Sequence, residues 1–191
     1  ALPICYFSLR DFQEHEATWV DPVSTNYRGF DVWELPPNGQ GISVLQMLNM
    51  LETFDIGAMK PNSAEQLHLF IEAKKLVWED RARYYADMDF AAVPLEQLIS
   101  KEYGRDRAKA IDPKRAAAAV APGDPTGKDT VYLTAADKDG NMVSLIQSIY
   151  HGWGSHLVPG GLGFPLQNRG TSFSLEPNHF NCLEPHKRPF H

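Results

Sequence analysis

The sequence predicts a mixed α/β (α+β) fold, and three observations predict it. Apolar residues recur at helical spacing over 38–115, and β-prone runs separated by turn residues occupy 129–168. A stretch rich in Ala, Pro and Gly divides the two. The chain therefore reads as a mostly helical part over 1–128 that ends in a linker, followed by a β-rich part over 129–191.

The opening residues 1–37 are mixed. Trp19-Val20 and Phe30-Asp31-Val32-Trp33 have short-strand character, with a turn-like Asn26-Tyr27-Arg28-Gly29 between them. Pro36-Pro37-Asn38-Gly39 then breaks the chain. Val44, Leu45, Met47, Leu48 and Leu51 follow on one helical face, giving an expected helix over about 40–54 that Gly57 and Pro61 bring to a close. Ser63-Ala64-Glu65-Gln66 has the form of a capping box and starts a long helix over about 63–87. Its apolar face is expected to carry Leu67, Phe70, Ile71, Val77, Trp78 and Tyr85. Glu72, Lys75, Glu79 and Arg83 are expected on its solvated face. Short helices are expected near 95–99 and 105–111. Asp112–Lys128 is too dense in Pro and Gly to continue a helix or a central strand, and reads as an exposed, mobile linker. Beyond it, strands at about 130–136 and 142–149 flank the turn Asp137-Lys138-Asp139-Gly140-Asn141 and form a hairpin. The two long helices are expected to lie against that hairpin.

Composition limits the function classes. The chain has 191 residues, 43% hydrophobic and 22% charged, which suits a folded domain with a sizeable core. A net charge of −6 disfavours a general nucleic-acid or acidic-membrane surface. No apolar run approaches the roughly 20 residues of a spanning helix, and the first ten residues lack the pattern of a signal peptide. Cys5 and Cys182 make no metal knuckle and no disulfide framework, and read as plain thiols. The seven histidines match no zinc-binding spacing, and the glycines between 152 and 163 lack the strand–helix setting of a phosphate cradle. Neither a metal nor a cofactor is expected.

Thr130 is the residue with chemistry to offer, because it opens a strand directly after the linker. A threonine that becomes a chain N-terminus supplies a nucleophilic hydroxyl, and its free amine, with an ordinary pKa of about 7.7–8.0, serves as the base. Threonine also opens strands for β propensity alone, so position by itself leaves both readings open.

Wider motifs weigh on that choice. Thr130-Val131-Tyr132 followed by Asp137-Lys138-Asp139-Gly140-Asn141-Met142-Val143-Ser144 resembles the start of the small subunit in the γ-glutamyltranspeptidase family. Upstream, Pro22-Val23-Ser24 with Asn26-Tyr27-Arg28-Gly29-Phe30, then Pro36-Pro37-Asn38-Gly39-Gln40-Gly41, and then Glu72-Ala73-Lys74 with Asp80-Arg81 follow the family pattern in order. Lys187-Arg188-Pro189 follows it downstream. The resemblance covers nearly the whole chain.

It implies part of a four-layer αββα sandwich of the N-terminal nucleophile hydrolases, and a precursor that cuts itself between Asp129 and Thr130. The freed Thr130 would then attack a γ-glutamyl or related amide, and water or an amino acid would accept the acyl group. By position, Ser148 matches a threonine that supports the nucleophile, and Tyr150 stands where the family has an Asn that contacts substrate. Asn168-Arg169-Gly170-Thr171-Ser172-Phe173 falls on the family's Asn-Gln/Glu-Met-Asp-Asp-Phe. Ser172 thus replaces the acid that holds the substrate ammonium, and Arg169 brings a positive charge that would repel it. That departure turns the expectation from glutathione towards the γ-glutamyltranspeptidase-like or cephalosporin-acylase-like branch.

The implied partners are a small-molecule amide and the remainder of a longer precursor, as a large/small subunit heterodimer. The family's oxyanion amides and early carboxylate-binding Arg fall outside these residues, so the chain by itself is expected to be inactive. Family members are often periplasmic or secreted, and a cytoplasmic place stays open for this branch. Two alternatives stand beside the transferase/hydrolase reading: an acylase for another amide, and a catalytically silent module that pairs through its strand edges.

Overall fold

The computed structural model describes residues 10, 13–117, 128–161 and 163–191, and of residues 128–131 the backbone alone. A hairpin pairs β1 (Val23–Tyr27) with β2 (Phe30–Glu34), antiparallel with Thr25 opposite Val32. Its turn is the residue pair Arg28-Gly29, both at positive φ (53° and 91°), the geometry whose twist matches the flanking strands. The strand expected at Trp19-Val20 does not form. The ladder begins at Val23, and Trp19 is fully exposed.

Helix α1 (Ile42–Leu51) follows, then α2 (Ala64–Tyr84), α3 (Leu95–Leu98) and α4 (Lys101–Ala108). Ser63 caps α2 as the capping box implies, its hydroxyl accepting from the Gln66 N–H. Ser100 does the same for Tyr103, which starts α4 several residues before the expected 105. Among the described residues two apolar clusters lie on either side of α1. Met50 and Leu51 meet Leu69, Ala73, Val77, Ala108 and Ile111 in one. Ile42 and Leu45 meet Tyr85 and Leu98 in the other, with Val23, Val32 and Phe190 packed against them.

The buried stripe of α2 is therefore Leu69, Ala73, Val77, and Leu67 and Ile71 face out, contrary to the sequence-based face. Four-residue spacing decides this, since these three small or medium side chains stack directly under α1. Glu72, expected in solvent, is buried. It is held by Lys75 at 2.6 Å and by the Ala117 N–H at 3.1 Å, so the start of the linker is fastened to the helix. The rest of the expected linker, 118–127, and Cys5 lie outside the described residues.

Polar groups bind α1 to its surroundings. Buried Asn49 accepts from Thr25 Oγ1 and donates to the Ile99 carbonyl, both at 2.7 Å, joining β1, α1 and the end of α3. Gly104 of α4 lies against the same residue: a Cβ there would stand 2.6 Å from the Asn49 Cβ. Gly104→Ala is expected to lower stability by about 1–3 kcal/mol through overpacking, although Ala is the better helix former. Urea denaturation of the variant checks this.

The second hairpin pairs β3 (Lys128–Ala136) with β4 (Met142–His151) antiparallel. Asp137 organises its turn, accepting from the N–H groups of Asp139 and Asn141 and from the Asn141 side chain, with Gly140 at φ 85°. The long helices do not lie against this hairpin as expected. They pack on each other and on β1–β2, while Tyr132 and Leu133 of β3 and Leu145 and Ile146 of β4 are more than half exposed. Consecutive strand residues point to opposite faces, so both faces of the hairpin are apolar and open.

Candidate active site

The base of the second hairpin gathers the residues singled out by sequence. Across the ladder Thr130 pairs with Ser148 and Asp129 pairs with Tyr150, so the pairing skips Ile149 and the register shifts between Asp129 and Thr130. Tyr150 takes a positive φ of 78°, uncommon for a residue with a side chain. The Ser148 hydroxyl holds that turn by accepting the Tyr150 N–H at 3.0 Å.

The glycine-rich segment then returns the chain to the same place. Gly154, at φ 56°, touches the returning side of its own loop: a Cβ there would meet the Leu166 carbonyl at 2.3 Å. The Leu166 carbonyl accepts from the Ser155 N–H, and the Asn168 N–H donates to the Ile149 carbonyl, at the skipped residue. The Asn168 side chain grips β4 twice, accepting the His151 N–H at 3.1 Å and lying 2.9 Å from His151 Nδ1. Because the backbone N–H fixes which end of the amide is oxygen, the Asn168 NH₂ donates to the ring, and Nδ1 is the acceptor.

The 3₁₀ turn Arg169–Ser172 is thereby set beside β4. Arg169 Nη1 donates to the Ser148 carbonyl at 3.2 Å, and the guanidinium stands 5.8 Å from the Tyr150 ring centroid. Ser172 Oγ donates to Tyr150 Oη at 3.1 Å. Ser148, Tyr150, Arg169 and Ser172 therefore touch one another, at the point where Thr130 enters the ladder.

Several residues at the site were not singled out by sequence. Asn181 is fully buried; its NH₂ donates to the Ser172 carbonyl at 2.7 Å, and its carbonyl accepts the Phe190 N–H at 3.0 Å. This ties the site turn to the last residues, where the His191 ring lies 6.2 Å from that of Tyr150. Asn38 fixes the same terminal segment from the helical side, through the Pro189 carbonyl and the His191 N–H. Arg81, at the end of α2, stacks 4.5 Å from the Phe190 ring and 5.5 Å from that of Trp78. Burial lowers its pKa, opposed by Tyr150 and Tyr85 nearby. Burial lowers that of Arg169 too, again opposed by Tyr150. Asn168 and Arg81 both sit inside motifs that carried the resemblance, which was a signal available in the sequence. Asn181 had none, because its partners are nine residues away on either side of a loop.

Comparison with solved structures places this fold among the N-terminal nucleophile hydrolases. The cephalosporin acylase from Bacillus halodurans superposes with a TM-score of 0.85 at 44% identity, over 97% of this chain and 33% of that one. The family model for gamma-glutamyltranspeptidase matches residues 5–191, and the chain belongs to that family. Among curated relatives it is 44% identical to the glutathione hydrolase-like YwrD proenzyme of Bacillus subtilis (strain 168) over 186 residues, which is 97% of this chain and 35% of that protein. It is 32% identical to the glutathione hydrolase proenzyme of Escherichia coli (strain K12), over 94% of this chain and 34% of that protein. The chain thus spans about a third of the length of these relatives.

Proposed function

We propose that these residues carry the nucleophile of a self-cleaving amidase or acyltransferase, with Thr130 as that nucleophile. In maturation the Thr130 hydroxyl adds to the Asp129 carbonyl and the peptide nitrogen leaves as the new α-amine. The resulting ester is hydrolysed by water, which leaves a carboxylate on Asp129. In turnover the same hydroxyl attacks a substrate amide, its proton passing to the α-amine and then to the leaving amine. Water, or an amino acid, takes the acyl group from the ester.

The observation that carries this reading is the pairing of Thr130 with Ser148 at a register shift whose other side is Asp129–Tyr150. A shift of this kind takes a peptide group out of the regular ladder, and such irregularities concentrate beside active sites. Ser148 is the positioning residue: its hydroxyl fixes the Tyr150 turn, and its carbonyl receives Arg169.

The substrate is read from the charge of the site. Ser172 offers a hydroxyl to Tyr150 where an acid would hold an ammonium, and Arg169 is a cation in the same contact set. An acyl group without an α-ammonium suits these groups better than γ-glutamyl. This favours the acylase-like branch, in keeping with the cephalosporin acylase likeness. The open faces of β3–β4 are where further strands of the complete protein would pack, as the proenzyme relatives imply.

Mass spectrometry of the complete gene product tests the reading. The expected result is two chains, the second beginning with Thr130. A single intact chain after prolonged incubation would refute the proposed maturation.

A further inference from the structure

Asn181 spends each of its polar groups on a different partner. Its backbone N–H donates to His179 Nδ1 at 3.0 Å, and its carbonyl accepts the Ser174 N–H at 2.9 Å. Its side-chain oxygen takes the Phe190 N–H, so the other end of the amide is NH₂ and donates to the Ser172 carbonyl. A side chain with no exposure cannot trade these bonds for water, and losing one leaves a buried group unpaired.

The two side-chain bonds join segments that are fixed from opposite sides. Phe190 belongs to the terminal segment, which the helical part holds. Asp87 takes Arg188 by its backbone and its side chain, Asn38 donates to the Pro189 carbonyl, and Arg81 lies over the Phe190 ring. Ser172 ends the 3₁₀ turn, whose own bonds are short-range, from the Thr171 N–H to the Asn168 carbonyl and from the Phe173 N–H to the Gly170 carbonyl. The Ser172 hydroxyl meets Tyr150 Oη. The Asn181 amide thus carries the position of the docked segment to the Ser172–Tyr150 contact.

We propose that Asn181 is a positioning residue that sets Ser172 against Tyr150, and so governs how tightly the acyl group is bound rather than the chemistry at Thr130. The proposal rests on acyl transfer at Thr130 for what the site binds; the link through Asn181 does not. Thr130 meets β4 at Ser148, so self-cleavage is expected to be spared.

Asn181→Asp in the complete gene product tests it, because the introduced carboxyl has the same shape and keeps the acceptor for Phe190. Protonated, its O–H replaces the NH₂ donor. Ionised, it sets a second oxygen against the Ser172 carbonyl. Burial raises the pKa of such a group, so the donor is present in acid and lost as pH rises. Valeryl p-nitroanilide is the probe. Its KM should stay within about threefold of the parent's at about pH 5.5 and rise about 10–100-fold above it at about pH 9, with kcat within about threefold at both. His179 is common to both proteins, so the ratio isolates residue 181. Cleavage before Thr130 should keep its rate. Asn38→Ala, which frees the Pro189 carbonyl from outside the site, should raise KM about threefold in the parent and leave it unchanged in Asn181→Asp at about pH 9. Hydrogen exchange gives a reading without catalysis. Peptides covering 168–174 should exchange at least about tenfold faster in Asn181→Asp than in the parent at about pH 9, and those of α2 at the parent's rate. A KM ratio that is flat with pH, or a joint fall in kcat and maturation with KM unchanged, would overturn the proposal. If Asn181→Asp does not fold, an unchanged KM in Asn38→Ala overturns it and a raised KM upholds it. If the parent hydrolyses no anilide, the Thr130 reading fails, and faster exchange confined to 168–174 still upholds the link.

Discussion

Thr130→Ala in the complete gene product is expected to leave the Asp129–Thr130 bond uncut and to abolish amide hydrolysis, a loss of about 10⁴-fold or more. Alanine keeps the backbone that pairs with Ser148 but has no oxygen to add to the Asp129 carbonyl, so both steps stop for one reason. Thr130→Ser is expected to keep part of both. Oγ survives, while the methyl that restricts its rotamer is lost. Because misplacement by about 1 Å costs roughly a hundredfold, cleavage should slow more than chain assembly does. Electrophoresis of the variants over time, followed by anilide assays, gives both numbers. A Thr130→Ala protein that matured at the same bond would remove Thr130 from the mechanism.

The largest expected effect on stability is at Asp87. Its side chain is buried and receives three hydrogen bonds from Arg188, from the backbone N–H at 2.8 Å, Nε at 2.9 Å and Nη2 at 2.6 Å. These bonds dock the segment that ends in Phe190 and His191 onto the turn after α2. Arg188 is about half exposed. Asp87→Asn is therefore expected to cost about 2–3 kcal/mol, less than a fully buried pair. The hydrogen bonds from the Arg188 side chain, followed by its backbone N–H and charge, hold the Asp87 pKa below the usual carboxylate value against burial. A depressed carboxylate pKa stabilises the fold above its unfolded value of about 3.9, and that contribution is lost as pH falls through the folded value. Urea midpoints of the parent and Asp87→Asn should hence differ most near pH 7 and converge in acid. Midpoints that stay equally far apart at low pH would show that the pair is not the source of the difference.

Local chemistry was legible in the sequence and remote packing was not. The Ser63 cap, the Asp137–Asn141 turn and the order of helices and strands each follow from residues within a few positions of one another, and the structure reproduces them. The exposed side of α2 was misread because spacing alone allows neighbouring stripes. Only the meeting with α1 selects Leu69, Ala73 and Val77, and it buries Glu72 beside Lys75. Trp19-Val20 has strand-like composition, but the ladder opposite β2 runs only from Val23 to Tyr27. Ser148, Tyr150, Arg169 and Ser172 are candidates through family position, and the structure adds their mutual contacts. Asn181 was not read as a site residue, since what distinguishes it is a bridge between loops, to the Ser172 carbonyl and from the Phe190 N–H. That property is not written in local pattern.

The openness of the second hairpin bears on the timing of assembly. The helical part has both apolar clusters and can consolidate through short-range contacts, which form early. The strands that carry Thr130 and Ser148 find no such cover in these residues, and a lone two-stranded ribbon is marginal in water. On the proposed reading the nucleophile is therefore among the last parts to be set in place. Its first cut then marks the completion of folding, so a chain that stalls halfway keeps its hydroxyl harmless.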